Sequence, residues 1–187
     1  GDDIEYEAEV SNVIGDVIGI LKGNDGWFAR MDRVCRNLIR GMIYQNRDLD
    51  DENNYTLRDL HRLLLDKGEL MDFASKIKDE DTKRFTDEIS QMDPEVLEPA
   101  AGRLQKWVEN KITKEIIAHE ESTVNIKDVV EEDKIVIVRL KNVSDDAKRI
   151  ISTALTRRMW SAIQAREKKD DGEYNPYFLY IDELHQV

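Results

Sequence analysis

The residues best placed to do chemistry close the chain, in the stretch Tyr177-Phe-Leu-Tyr-Ile-Asp-Glu-Leu-His-Gln-Val187. The apolar run Tyr177–Ile181 reads as a buried strand, and open α/β sheets expose their ligand sites at the carboxyl ends of their strands. Asp182 and Glu183 stand at that end. In such a place the first acid holds a magnesium ion, usually through water, and the second polarises a water for attack on a phosphoryl group. The same residues also fit a plainer account, a buried strand that stops in two solvated acids. ATP chemistry needs more than the acids: a Gly-x-x-x-x-Gly-Lys-Ser/Thr loop must cradle the phosphates. The chain has no such loop, its glycines after Gly1 being scattered at 15, 19, 23, 26, 41, 68, 102 and 172. As it stands the polypeptide is expected not to hydrolyse ATP. If the acids are catalytic, the phosphate loop is expected upstream of residue 1, in a longer protein that also binds ATP and Mg2+.

The elements that position this stretch fall into two parts, 1–122 and 123–187. The first reads as helices throughout. Val10, Val13, Ile14, Val17, Ile18 and Leu21 recur at the spacing of one amphipathic helix face. Gly23-Asn24-Asp25-Gly26 breaks the pattern, and a second helix carries Phe28, Met31, Val34, Cys35, Leu38, Ile39, Met42 and Ile43 on its apolar side. Thr56 and Asp59 form a capping-box pattern ahead of Leu57, Leu60, Leu63 and Leu64. Weaker helical segments follow at 70–77 and 82–92. Asp93-Pro94 is a start signal, with Pro99 either bending the helix or marking its true beginning. Thr113 is expected to cap a last short helix. Beyond residue 123 the character changes: Lys134-Ile-Val-Ile-Val-Arg-Leu140 reads as a buried parallel strand. Ser144 caps a helix with Ile151, Leu155, Met159 and Ala162 on one face, and Tyr177–Ile181 is the second strand. The expected fold is therefore mainly α with an α/β part, an all-helical domain followed by a strand-helix-strand unit.

Taken together, several stretches resemble the middle section of the HerA/FtsK-like DNA-pumping P-loop ATPases, above all the type IV secretion coupling proteins and their archaeal relatives. They are Tyr55-Thr-Leu-Arg-Asp-Leu60, Arg103-Leu-Gln-Lys-Trp107, Val124–Leu140, the helix after Ser144 and the Walker B-like Tyr177–Glu183. Such motors insert an all-helical domain between Walker A and Walker B, so the resemblance implies that 123–187 is a partial RecA-like core. It also implies ATP and Mg2+ as cofactors, DNA as a partner, further protein partners and a homo-hexamer. The location implied is cytoplasmic, with membrane attachment only through regions beyond these residues. The pattern covers most of the chain, but specific motifs occupy only its last third. Walker A and everything after Walker B are missing, so roles carry over only to Asp182 (magnesium, through water) and Glu183 (activation of water).

Two other readings compete. Asp182-Glu-Leu-His185 also spells the DExH box of helicases, although such a domain would alternate strands and helices ahead of it. The second is a non-enzymatic helical module that binds another protein. Arg33, Arg36, Arg40 and Arg47 fall within about 60° of one another on the second helix, at 100° per residue. They are either a stripe for nucleic-acid phosphates or an acidic partner, or a solvated face paired with local acids. Arg157, Arg158 and Arg166 are candidate arginine fingers for a neighbouring subunit's site. His61 and His119 lack partners at metal-ligand spacing. Trp27, Trp107 and Trp160 are expected in the core, and Cys35 as an inert buried thiol.

Composition bounds all of this. A net charge of −12 in 187 residues excludes wholesale coating of nucleic acid and confines any such contact to a local basic patch. One cysteine excludes an internal disulfide. The acidic start Gly1-Asp-Asp-Ile-Glu5 is unlike a signal peptide, and the missing initiator Met is expected of an internal fragment.

Overall fold

In the computed structural model, residues 2–22, 28–48, 54–117, 124–132, 134–141, 143–166, 174 and 176–180 are described. The chain divides into two units, Gly1–Glu121 and Ser122–Val187.

The first unit is built from α1 (Asp2–Lys22), α2 (Ala29–Asn46), α3 (Leu57–Leu65), α4 (Lys67–Lys76), α5 (Glu80–Ser90), α6 (Pro94–Glu109) and α7 (Lys111–Ile117). Helix α2 is its axis, packing against α1, α3, α5 and α6, while α3 lies against α6 and α4 against α5. The apolar periodicity of the sequence becomes this core. Val10, Ile14, Ile18 and Leu21 of α1 are buried, as are Met31, Val34, Leu38, Ile39 and Met42 of α2. From the following helices come Leu60, Leu63, Phe73, Leu97, Leu104 and Trp107. Two residues expected in these stripes face water: Val13, and Phe28, which sits just before α2 as its N-cap.

Start signals written in the sequence are largely used. The Asp59 carboxylate accepts from the Thr56 N–H and from its hydroxyl, both at 2.8 Å, so the capping box before α3 is made through its acid. Asp66 and Asp79 accept from the backbone N–H groups of Glu69 and Thr82 and start α4 and α5. Pro94 is the first residue of α6, and Pro99 lies within that helix rather than at its start. The expected cap at Thr113 is corrected. Asn110 is the capping side chain, accepting from the Thr113 N–H at 3.1 Å, while Thr113 itself is buried inside α7. Asn also ties α2 to α3: the Asn46 amide donates to the Tyr55 carbonyl at 3.0 Å and accepts from the Tyr55 N–H at 2.7 Å. With both chain ends of the loop held by one side chain, Tyr55 stands edge-on to the Phe73 ring, 5.1 Å between centroids.

The second unit contains α8 (Ile126–Glu131) and α9 (Asp145–Ala165), started by Asn125 and Ser144. Ile126, Val129 and Val130 of α8 are buried, as are Ala147, Ile150 and Met159 of α9. Here the expected fold class is overturned. No strand forms among the described residues, so the strand-helix-strand piece of a RecA-like parallel sheet is absent. Residues 134–140 and 176–180 run without regular structure, and Ile135 and Ile137 are 90% and 81% exposed. The two runs do approach: the Tyr177 hydroxyl donates to the Lys134 carbonyl at 2.9 Å. A single side-chain bond is not a ladder, however. An unbroken β-branched run signals a preference for burial, but forms a strand only where a neighbouring backbone satisfies its N–H and C=O groups. Ile181 lies outside the described residues.

A close approach in the first unit is at Gly41 of α2, where an added Cβ would lie 3.0 Å from the Ile77 side chain and 3.1 Å from the Phe73 ring. Gly41→Leu should therefore lower unfolding free energy by about 1–3 kcal/mol through overpacking. Phe73→Ala should lower it by about 3–5 kcal/mol through the cavity it leaves. Urea denaturation of each variant checks both; a Gly41→Leu variant as stable as wild type would show that α2 and α4 can separate freely.

Candidate functional site

Asp182 and Glu183, expected to act on magnesium and water, lie outside the described residues, as does His185. The segment leading to them is described through Tyr180. Phe178 and Tyr180 are exposed with rings stacked at 6.4 Å, and their apolar surface is open to solvent rather than buried.

The four arginines of α2 each meet an acidic or aromatic neighbour. Arg33 pairs with Glu88 of α5 at 3.0 Å and sits over the Phe85 ring, 5.2 Å from its centroid. Arg36 bonds Asp32 one turn earlier, and Lys22 of α1 reaches the other oxygen of that carboxylate at 3.0 Å. Arg40 acts on Asp79 and on Tyr44. Arg47, the C-cap of α2, covers the Tyr6 ring at 4.5 Å. The stripe is thus laced to α1, to α5 and to its own helix. These are surface pairs, each worth no more than about 1 kcal/mol, so an outside anion could compete for the arginines at small cost.

Around Arg40 and Arg47 lies a cluster that sequence periodicity did not single out. Tyr6 and Tyr44 stack at 6.3 Å, and the Tyr44 hydroxyl donates to Glu7 at 2.8 Å. Burial and then the bond to Glu7 push the Tyr44 phenol up to about 12, so it stays neutral. Asp79, in contrast, is held below the ordinary carboxylate range, first by the Thr82 hydroxyl and backbone N–H and more weakly by Arg40. Asp48 is lowered too, through its 2.5 Å bond to Lys78.

Arg157 and Arg158 are exposed on α9. Arg166 caps the end of that helix, with its guanidinium 4.8 Å from the Tyr174 ring centroid. The core assignment of Trp160 is corrected: it is 62% exposed, whereas Trp107 is buried and Trp27 lies outside the described residues. The reason is rotational. Met159 takes the buried position in the second half of α9, and a one-residue step turns Trp160 about 100° away from it. With Trp160 on the open side stand Arg149 and Arg157, a face whose sequence signal was a local excess of Lys and Arg rather than a motif.

His61 on α3 is half-buried, which holds its imidazole below the ordinary value against the opposing pull of Glu109. His119 lies outside the described residues, and among the described residues no three His, Cys, Asp or Glu side chains converge on a metal position. Between α2, α5 and the start of α6 runs a groove of about 560 Å3, floored by Val34, Phe85, Ile89 and Val96 and rimmed by Arg30 and Glu88. No helix among the described residues is long and apolar enough to cross a membrane.

Compared with protein families, with curated proteins and with solved structures, the chain matches none. The likeness to DNA-pumping ATPases accordingly rests on the stretches quoted above.

Two expectations follow from these environments. Burial pushes the Cys35 thiol up to about 12, so a thiol reagent should leave the native chain unmodified at neutral pH and react fully in denaturant. Rapid native labelling would place Cys35 in an opening segment. Asp79 concerns pH. Its depressed folded value means that its stabilisation is complete above the unfolded value, about 3.9, and is lost as pH falls through the folded one. Asp79→Asn keeps a capping group without the charge. Wild type should therefore exceed the variant in urea midpoint at neutral pH, with the gap closing as pH falls below about 4; a pH-independent gap would assign it to cap geometry alone.

Proposed function

We propose that this chain is part of a DNA-pumping P-loop ATPase of the HerA/FtsK-like kind, in which Asp182 positions magnesium and Glu183 activates the hydrolytic water. One observation carries the reading: the order of parts within a single chain. A unit of about 120 residues whose described elements are all helices precedes a second unit in which two apolar runs flank one long helix, and the second run leads into Asp182-Glu183. The exposure of Ile135, Ile137, Phe178 and Tyr180 supports it, because so much apolar surface calls for a covering partner. In the proposed motor that cover and the phosphate loop both come from polypeptide beyond these 187 residues. The assembly would be a homo-hexamer working in the cytoplasm, fed by ATP and Mg2+.

A second reading has its own observation. The groove between α2, α5 and α6 combines an apolar floor with a charged rim, as a protein-binding helical module would. On that reading Asp182 and Glu183 are merely polar residues after an apolar run.

ATP hydrolysis by the full-length protein separates the two. DNA should raise the rate, and Glu183→Gln should lower kcat by about 10²–10⁴-fold, the usual contribution of a positioned general base, while nucleotide binding persists. A full rate in Glu183→Gln, or an inert parent, would leave the interaction module as the function.

A further inference from the structure

Charge is unevenly spread along this acidic chain. The Gly1–Glu121 unit holds 28 Asp or Glu against 17 Lys or Arg, a net charge of −11. Residues 134–169 reverse the sign, with ten Lys or Arg against three Asp or Glu, a net charge of +7. Helix α9 lies within this basic stretch, and its open side is specific in kind. At 100° per residue, Arg149, Thr153, Arg157, Trp160 and Gln164 fall within about 80° of one another. Arg149, Arg157, Trp160 and Gln164 are exposed. At 1.5 Å per residue the two arginines stand about 12 Å apart along the axis, with the indole about 4–5 Å beyond the second.

We propose that this face of α9 binds a single strand of DNA, its phosphates on Arg149 and Arg157 and one base stacked on Trp160. Guanidinium groups suit phosphate, and an exposed indole in line with them gives a base a flat surface to stack on. In a net-negative protein a cationic tract is the one place where a polyanion gains rather than loses electrostatic energy. An acidic protein could use the same charges and the same indole, and competition between polyglutamate and the oligonucleotide tells the two apart. The choice of DNA rests on the motor reading above, whereas binding itself requires neither nucleotide nor Glu183.

The test is titration of the whole chain with oligothymidylate, without ATP, following tryptophan emission and the anisotropy of a labelled strand. Binding should quench emission, and in a Trp27→Phe background Trp160→Phe should abolish most of the quench because Trp107 is buried. Trp160→Ala should weaken binding about 5- to 150-fold, the range for one base–aromatic stack. Replacing both Arg149 and Arg157 by Gln should reduce the slope of log affinity against log salt by about 1.4, at about 0.7 per phosphate of a single strand. The pair Arg33→Gln and Arg36→Gln on α2 should leave that slope unchanged. Three results overturn the proposal: no binding at low salt, equal loss in the α2 pair, or polyglutamate competing as well as the oligonucleotide, which would assign the face to an acidic protein. DNA binding in a protein that fails to hydrolyse ATP would sink the motor and keep the α9 site.

Discussion

One close approach in the helical unit shapes what lies around it: the Phe73 and Ile77 side chains, at the end of α4, come up to the backbone of α2. For that, α2 has to offer one place where it can be approached closely. Gly41 provides it, by leaving the volume of a Cβ to the Phe73 ring and the Ile77 tip. Glycine inside a helix costs about 1 kcal/mol against alanine, and here that cost is offset by burial of Phe73 at 1% exposure. Phe73 in turn gives Tyr55 a ring to stand against, and the Asn46 amide fixes Tyr55 from the end of α2. The loop from α2 to α3 is therefore anchored at both ends whatever its middle does.

Electrostatics plays a different part. The unit carries a large negative excess, yet its helices begin with acids at positions where the backbone wants them: Asp59, Asp66 and Asp79 all accept N–H bonds in a first turn. Charge placed there acts with the helix dipole. The arginines of α2 then link α5 and α1 to the axis, Arg33 to Glu88 and Arg47 over Tyr6. Each link is weak, and together they stitch three helices without committing the surface to any partner. The stripe, conspicuous on a helical wheel, thus serves contacts within the helical unit.

What the sequence disclosed depended on whether the deciding partner was near in the chain. Helix faces and the caps at Thr56–Asp59, Asp93-Pro94 and Ser144 are local matters, and the apolar spacing of α1 to α3 needed only a 3.6-residue period. The runs 134–140 and 177–181 were different. A β-branched run announces its composition, but a strand is a relation between two backbones, and no residue inside the run states where the second one is. Trp160 failed for a different reason: it was placed in the core by residue type, whereas the wheel sets it about 100° from Met159 and away from Ile151, Leu155 and Ala162. Asn110 displaced Thr113 as a cap because Asn and Thr both suit the position, and a three-residue shift in the helix start decides between them. As for the acids Asp182 and Glu183, their order and spacing are all that sequence provides, since their roles depend on a phosphate loop that no residue here supplies.

The exposed apolar runs and the basic face of α9 belong to the same unit, and this combination constrains what the unit does. Apolar exposure on this scale is a liability in an isolated domain, because bare extended segments invite indiscriminate pairing. It is tolerable if a larger assembly covers it permanently. A basic face beside an aromatic one is the opposite kind of surface, stable in water and useful when open. A unit that carries both therefore fits one role better than others: its apolar runs docked into the body of an assembly, and its charged helix face left towards a mobile anionic ligand. The proposed motor would use that division, with a part that grips DNA held by a part that spends ATP. A free-standing interaction module has no need of it.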